Sequence, residues 1–152
     1  HENSVFIIFF FRGNYWKIVQ LVVVLQLNGE DKETKIECSF KFHEFTTKVC
    51  DLTIACHLIQ MENCLYLWVG DSNKNSMNDL SFAIESQLSK QPVVTKIMGP
   101  IVDDISSNLA KKLSKKFSKA VYVSFNLQVD NMSLPVVEKN IREELNSYFN
   151  LK

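Results

Sequence analysis

The chain has 152 residues, a length at which a single domain buries roughly 68–70% of its unfolded surface without help from metals or disulfides. Its 17 Lys and Arg balance 17 Asp and Glu, and a net charge of zero argues against general binding to nucleic acid or anionic membranes. With 46% hydrophobic residues, eleven Phe, four Gly and three Pro, the composition excludes a disordered chain and predicts a folded domain.

The first part of the chain is apolar and is interrupted at Arg12. A signal peptide would carry its charge before the apolar run and a small-residue cleavage site after it, and this segment has neither. The longest stretch without a charged residue, 18–29, is shorter than the roughly 20 residues of a membrane-spanning helix. We interpret residues 1–34 as an N-terminal extension, adding a strand or a hairpin, and residues 35–152 as one domain.

Alternating side chains predict a three-strand meander after the extension. From Ile36 to His43 the apolar residues Ile36, Cys38, Phe40 and Phe42 share one side, as in a half-buried strand, and residues 46–48 are expected to turn the chain. The alternation resumes over 52–58, and a third strand is predicted over 64–70. Residues 65–69 are apolar on both faces, which is typical of a central strand covered on both sides.

The rest of the domain is predicted as two strands, a helix, a strand and a helix, at 80–88, 92–98, 103–119, 121–127 and from residue 133 onward. In the first helix Ile105, Leu109 and Leu113 repeat every four residues, with aspartates at its start and lysines at its end. Ser133 is the expected N-cap of the second helix. The order βββββαβα predicts an α+β fold, with a six-stranded antiparallel sheet and two amphipathic helices on one face.

Cysteines and histidines offer no predicted catalytic or metal site. The four cysteines, expected to be reduced and buried, lack the spacing of zinc ligands; they are Cys38, Cys50, Cys56 and Cys64. Cys56 and His57 point to opposite faces of a strand, so they cannot act as a nucleophile and its base. Phosphate-binding, dinucleotide-binding, metalloprotease and serine-hydrolase motifs are all missing from the sequence.

An aromatic patch is the first candidate interaction surface. If Leu65 and the other odd-numbered residues of its strand face the helices, Tyr66 and Trp68 point away, and Tyr122 joins them from the last strand. Tyr and Trp are favoured at interfaces, and exposed apolar patches mark association sites, so we expect a dimer face here. In the alternative, the N-terminal apolar segment folds over these residues.

A lysine-rich face of the first helix is the second candidate. Lys111, Lys112, Lys115 and Lys116 form a basic surface suited to an acidic partner protein. The alternative is an ordinary solvated helix face, and the lack of interleaved aromatic residues argues against nucleic-acid binding.

Four stretches carry a family resemblance: CLYLWVG at 64–70, LAKKL at 109–113, VYVSFNLQ at 121–128 and VEKNIREE at 137–144. Their order and spacing resemble the proteasome assembly chaperone 4 family. The resemblance implies a non-catalytic cytoplasmic chaperone, with the nucleus as a second compartment, that uses neither cofactor nor ATP.

The same resemblance implies the partners. It indicates a heterodimer with a proteasome assembly chaperone 3-like subunit and contacts with alpha-type subunits, notably alpha-5, during assembly of the 20S proteasome alpha ring. A homodimeric protein-binding adaptor with another client is the alternative interpretation.

Overall fold

The structure is a computed structural model that describes residues 22–27, 30–35, 40–86 and 90–150. The chain divides into two compact units, residues 1–39 and 40–152. In the first unit β1 (Val22–Leu27) and β2 (Glu30–Lys35) pair as an antiparallel hairpin. The boundary of the extension at residue 34 stays a prediction, and the apolar run before residue 22 lies outside the described residues.

The described part of the second unit has the predicted order βββββαβα. Its strands are β3 (Lys41–Val49), β4 (Leu52–Gln60), β5 (Cys64–Asp71), β6 (Leu80–Ile84), β7 (Val93–Met98) and β8 (Ala120–Asn126). Its helices are α1 (Ile105–Phe117) and α2 (Leu134–Tyr148). The predicted α+β class is therefore confirmed.

The six strands form one mixed sheet in the order β3-β4-β5-β8-β6-β7. The pairs β3 with β4, β4 with β5, β6 with β7 and β6 with β8 are antiparallel, whereas β5 and β8 run parallel. The expectation of a wholly antiparallel sheet is corrected to a mostly antiparallel one. Side-chain alternation could not show this, because it reports which residues share a face and not the direction of the neighbouring strand.

The strand register aligns two rows of side chains that cross the whole sheet on opposite faces. The covered row consists of His43, Leu58, Leu67, Val123, Ser81 and Lys96. The open row lies one residue away on each strand and consists of Phe42, Ile59, Tyr66, Tyr122, Phe82 and Thr95.

Both helices pack on the face of the covered row. α1 contacts β6, β7 and β8, with the Ser106 side chain bonded to Ser81, while α2 contacts β3, with Glu144 beside His43. No helix or strand between residues 40 and 150, as far as they are described, packs on the opposite face. The sheet is thus covered on one side and open on the other.

Apolar stripes of the two helices close the core. Leu109 and Leu113 of α1 and Val137, Ile141 and Leu145 of α2 are buried against the strands. The start of α1 is capped by Asp103, whose Oδ1 accepts the Ile105 N–H at 3.2 Å, while the adjacent Asp104 makes no capping bond. The predicted helical periodicity is therefore confirmed.

The turn between β3 and β4 lies at residues 50 and 51, and the expected turn at 46–48 is wrong. β3 stays paired with β4 up to Val49, opposite Leu52, because Phe45 and Val49 continue to pack on the core. Cys50 takes the turn with φ 54, in the left-handed region that glycine usually occupies.

Two strands turn their expected apolar side to the open face. On β3 the odd-numbered residues face α2, so Phe42 is 44% exposed. On β6 the small residues Ser81 and Ala83 are buried under α1, while Phe82 and Ile84 point to the open face. β6 also ends at Ile84 and not at 88, and residues 36–39 and 87–89 of the predicted strands lie outside the described residues.

Candidate protein-interaction surfaces

The open row places large apolar side chains side by side. Tyr66 lies directly opposite Tyr122, whose ring centroid is 4.6 Å from that of Phe82. Ile59, between Phe42 and Tyr66 in the row, is half-buried, as are the two tyrosines. More apolar side chains lie exposed on the same face, namely Ile84, Val93 and Ile97. Two of the three predicted dimer-face residues therefore lie at the centre of a continuous apolar surface.

Trp68, the third predicted dimer-face residue, is covered by the chain's own loop 72–79. Its indole N–H donates a 2.9 Å hydrogen bond to the Ser76 carbonyl, and the residue is only 6% exposed. The ring lies over Gly70, where a Cβ would overlap it. The Tyr66 hydroxyl also donates to the Met77 sulfur in this loop, at 3.9 Å.

The structure thus makes Trp68 an anchor for loop 72–79, and its role in dimerisation stays a prediction. Burial raises the pKa of Tyr66, and a hydrogen bond with Ser124 partly offsets this rise. The alternative in which the N-terminal apolar segment covers this face concerns residues outside the described ones.

The lysine face of α1 divides into two pairs. Lys112 Nζ donates to Glu138 Oε2 at 2.5 Å, and Lys116 donates to the Asn146 side chain, so both lysines link α1 to α2. Lys111 and Lys115 form no ion pair with the described residues. Only this second pair has no side-chain bond to α2; Lys115 is exposed and Lys111 is half-buried. Client binding by any of the four lysines stays a prediction.

A buried polar cluster, which the sequence analysis missed, joins the start of α1 to β6 and β7. Lys96 Nζ donates to Asp79 Oδ1 at 2.6 Å and to Ser106 Oγ at 2.9 Å. Ser81 Oγ lies 2.7 Å from Ser106 Oγ and 2.9 Å from Ser107 Oγ. The sequence signal that could have indicated this cluster is Lys96 itself, a charged residue at a position of β7 that faces the helices. Because Lys96 is the counter-ion of Asp79, it is not a free base that could activate a serine.

The thiols differ from one another in exposure. Cys56 is buried as predicted, and burial, with a smaller contribution from Glu144, raises its pKa to about 12. Such a thiol is protonated and a poor nucleophile at neutral pH. Cys50 is exposed in the turn, contrary to prediction, and burial raises the pKa of the half-buried Cys64. These three thiols are free, and Cys38 lies outside the described residues.

Both described histidines contact carboxylates. His43 stacks on Tyr148 with centroids 4.4 Å apart, and its Nε2 lies 3.2 Å from Glu144 Oε1. His57 Nδ1 is 3.2 Å from Glu44 Oε1, close enough for an ion pair but misdirected for a hydrogen bond. Among the described residues, no three metal-ligating side chains are grouped together.

Neither of the two described helices has the length and apolar character needed to cross a bilayer. The fold and its surfaces define an α+β protein-interaction domain, with one sheet face closed by helices and the other face apolar and open.

Comparison with known proteins agrees with this class. A family model described as proteasome assembly chaperone 4 matches residues 53–127. Proteasome assembly chaperone 4 of Homo sapiens is 32% identical over 107 residues, which cover 70% of this chain and 85% of the human protein. The Mus musculus protein of the same name is 29% identical over 120 residues, covering 78% of this chain and 96% of the mouse protein. The chain belongs to the proteasome assembly chaperone 4 family.

A solved structure shares the fold. A chain from a chaperone complex for yeast 20S proteasome assembly matches with a TM-score of 0.57 and 18% identity, covering 74% of this chain and 98% of that chain. The predicted sheet-and-helices architecture is thereby confirmed, and the sequence relatives confirm the predicted family resemblance.

Proposed function

We propose that the chain is a non-catalytic chaperone for assembly of the 20S proteasome alpha ring, acting as a heterodimer with a proteasome assembly chaperone 3-like subunit. The observation that carries the proposal is the open row, an apolar surface that neither α1 nor α2 covers, in a domain of this family. Its clients are alpha-type subunits, notably alpha-5, in the cytoplasm and the nucleus. The buried polar cluster and the protonated Cys56 support a role without catalysis.

The open face is suited to pairing with a second sheet. Six strands spaced about 4.8 Å apart give a face about 24 Å wide, which is the scale of a stable protein interface. Facing sheets pack about 10 Å apart through interdigitated side chains. Tyr66 and Tyr122 would be the central anchors, because each tyrosine combines a large apolar ring with a hydroxyl.

Client binding is assigned to the free lysine pair, Lys111 and Lys115. A chaperone that works without ATP must release its client when the next assembly step competes for the same surface, so the affinity has to be moderate. Charges at or near the surface meet this need, since they speed encounter more than they add affinity.

The dimer face is tested with the double variant Phe42→Ser, Tyr122→Ser. We expect it to weaken binding of the chaperone 3-like subunit at least about tenfold, measured by sedimentation velocity of the mixed proteins. Val136→Ser removes an exposed apolar side chain from α2 and serves as the matched control. Unchanged assembly of the double variant would refute the dimer-face assignment.

The client surface is tested with Lys111→Glu, Lys115→Glu, and Arg142→Glu on α2 is its control. The lysine variant should lose capture of purified alpha-type subunits while keeping the chaperone partner. If capture persists, the two lysines belong to a solvated helix face. A chain that forms homodimers and captures no alpha-type subunit would instead support the alternative of an adaptor with another client.

A further inference from the structure

Four connections of the second unit meet at one end of the sheet, which we call the loop end. They are the turn at 50 and 51, loop 72–79, loop 99–104 and loop 127–133. The register brings them together: Val49 pairs with Leu52, Ile54 with Asp71, Gly70 with Asn126, and Leu80 with Met98. In addition, the Asn78 N–H donates to the Asn126 side chain at 2.7 Å.

Three large apolar side chains project from the loop end. Ile101 and Val102 are 88% and 96% exposed, and Met132 is 85% exposed. Ile101 and Val102 are the central residues of a turn closed by the Asp103 N–H and the Pro100 carbonyl at 3.2 Å. Turns favour Gly, Pro, Asn, Asp and Ser at such positions. Because these side chains bury nothing within the domain, folding does not explain why they are apolar.

The two loops that carry these side chains lie at the same end of the two helices. α1 and α2 run in the same direction, as shown by the contacts of Lys112 with Glu138 and of Lys116 with Asn146. Both helices therefore begin at the loop end. Loop 99–104 leads into α1 and loop 127–133 leads into α2, so the three apolar side chains project from the same end of the domain.

The charge around this group is negative. The exposed charged side chains of the four connections are Asp51, Asp103, Asp104, Asp130 and a single lysine, Lys74. The two helix N-termini add about half a positive charge each, which leaves the end acidic. The opposite half of α1 carries the lysines, so the charge of the domain separates along the helix.

We propose that the loop end is a second client-binding surface, distinct from the lysine pair Lys111 and Lys115. Ile101, Val102 and Met132 insert into an apolar pocket of the client that is bordered by lysine or arginine side chains. The open row takes no part in this contact. The inference rests on the proposed function in one respect, namely that the client is an alpha-type subunit. Apolar anchors surrounded by complementary charge are the usual arrangement of an interaction hot spot.

The experiment uses the full chain in complex with the chaperone 3-like subunit and measures its affinity for purified alpha-type subunits. The triple variant Ile101→Ser, Val102→Ser, Met132→Ser changes only exposed positions. Val93→Ser removes an exposed apolar side chain at the opposite end of the sheet and is the control for client binding. We expect the triple variant to bind alpha-type subunits at least about tenfold more weakly and to keep the chaperone partner. Asp104→Lys should weaken client binding at low salt and have little effect at high salt.

Three results would overturn the proposal. If the triple variant binds alpha-type subunits as tightly as the wild type, the loop end is not used, while the proposed function stands. If the triple variant also loses the chaperone partner, the loop end is part of the dimer interface and not a second surface. If the wild-type pair binds no alpha-type subunit, the loop-end proposal and the proposed function both fail.

Discussion

The covered row and the open row are adjacent lines of side chains on one sheet, yet they serve different purposes. In the covered row Leu58, Leu67 and Val123 are buried, and the polar residues at its two ends bond to neighbouring elements. In the open row the apolar residues are half-buried or exposed, and neither of the two described helices lies over them. One row therefore stabilises the folded chain, and the other is available for association.

This contrast shows two different reasons why a position in the sheet is occupied by an apolar residue. A buried side chain gains transfer free energy and packing contacts within its own chain, about 1.5–3 kcal/mol for a residue such as Leu or Phe. An exposed side chain in the open row gains most of that energy only when a partner covers it. Mutations in the two rows should accordingly affect different measurements.

The largest effect is expected within the covered row. Leu67→Ala removes a fully buried side chain at the centre of the sheet and should lower the free energy of unfolding by about 2–5 kcal/mol. Phe42→Thr in the open row should change it by no more than about 0.5 kcal/mol. Urea unfolding of the isolated chain measures both. Similar losses in the two variants would remove the distinction between the rows.

The second-largest effect is expected for the buried ion pair between Asp79 and Lys96, the residue at one end of the covered row. Lys96→Met leaves Asp79 without its partner, and we expect a loss of about 3 kcal/mol in thermal or urea unfolding. Adding Asp79→Asn should restore part of that stability, because no uncompensated charge is then buried. A double variant as unstable as the single one would show that the charge pair is not the cause.

Gly70→Ala tests the part of the open face that loop 72–79 covers. The new Cβ overlaps the Trp68 ring, so the ring must move and release loop 72–79, at a cost of about 2 kcal/mol. Trp68 fluorescence in a Trp16→Phe background should shift to longer wavelength as the indole gains exposure. An unchanged spectrum and stability would contradict the packing of Trp68 over Gly70.

The effect that is smallest near neutral pH is a pH dependence from the core, because it develops only above pH 9.0. The pKa of Cys56 is about 12 in the folded chain, against an ordinary value of 9.0. Since folding favours the protonated thiol, its contribution is complete below pH 9.0 and is lost as the pH rises toward 12, by at most about 1.4 kcal/mol per pH unit.

Cys56→Ala should remove this contribution, so the stability difference between wild type and variant should shrink above pH 9.0. Cys50→Ala, in the exposed turn, is the control and should leave the pH dependence unchanged. A difference between wild type and Cys56→Ala that stays constant with pH would show that Cys56 ionises as easily in the folded state as in the unfolded one.

Local patterns predicted most of the elements and part of the candidate surface. The four-residue repeat of Ile105, Leu109 and Leu113 defined α1 to within a turn, because helical periodicity depends only on residues close in the chain. Tyr66 and Tyr122 were predicted to share one face of the sheet because side chains alternate along a strand. The pairing of β5 with β8 places the two residues opposite each other. The cover over Trp68 was not predicted, because it comes from a loop whose path has no periodicity.

Long-range geometry accounts for the other corrections. Lys112 and Lys116 appeared to be equivalent to Lys111 and Lys115 until α2 was placed beside α1. Phe42 and Phe82 were recognised as apolar positions of their strands, but alternation does not state which face of a strand is covered. The Lys96–Asp79 pair joins residues from two strand ends and leaves only a weak local signal.

The sequence by itself determined the class of the fold, the order of the elements of the second unit and the family, because periodicity and local motifs carry that information. Only the tertiary structure decided that β5 and β8 run parallel, which face of the sheet the helices cover, and which exposed residues share the loop end. These features depend on contacts between residues far apart in the chain. Composition and residue spacing contain no information on such contacts. The contacts are set when the helices pack on one face of the sheet.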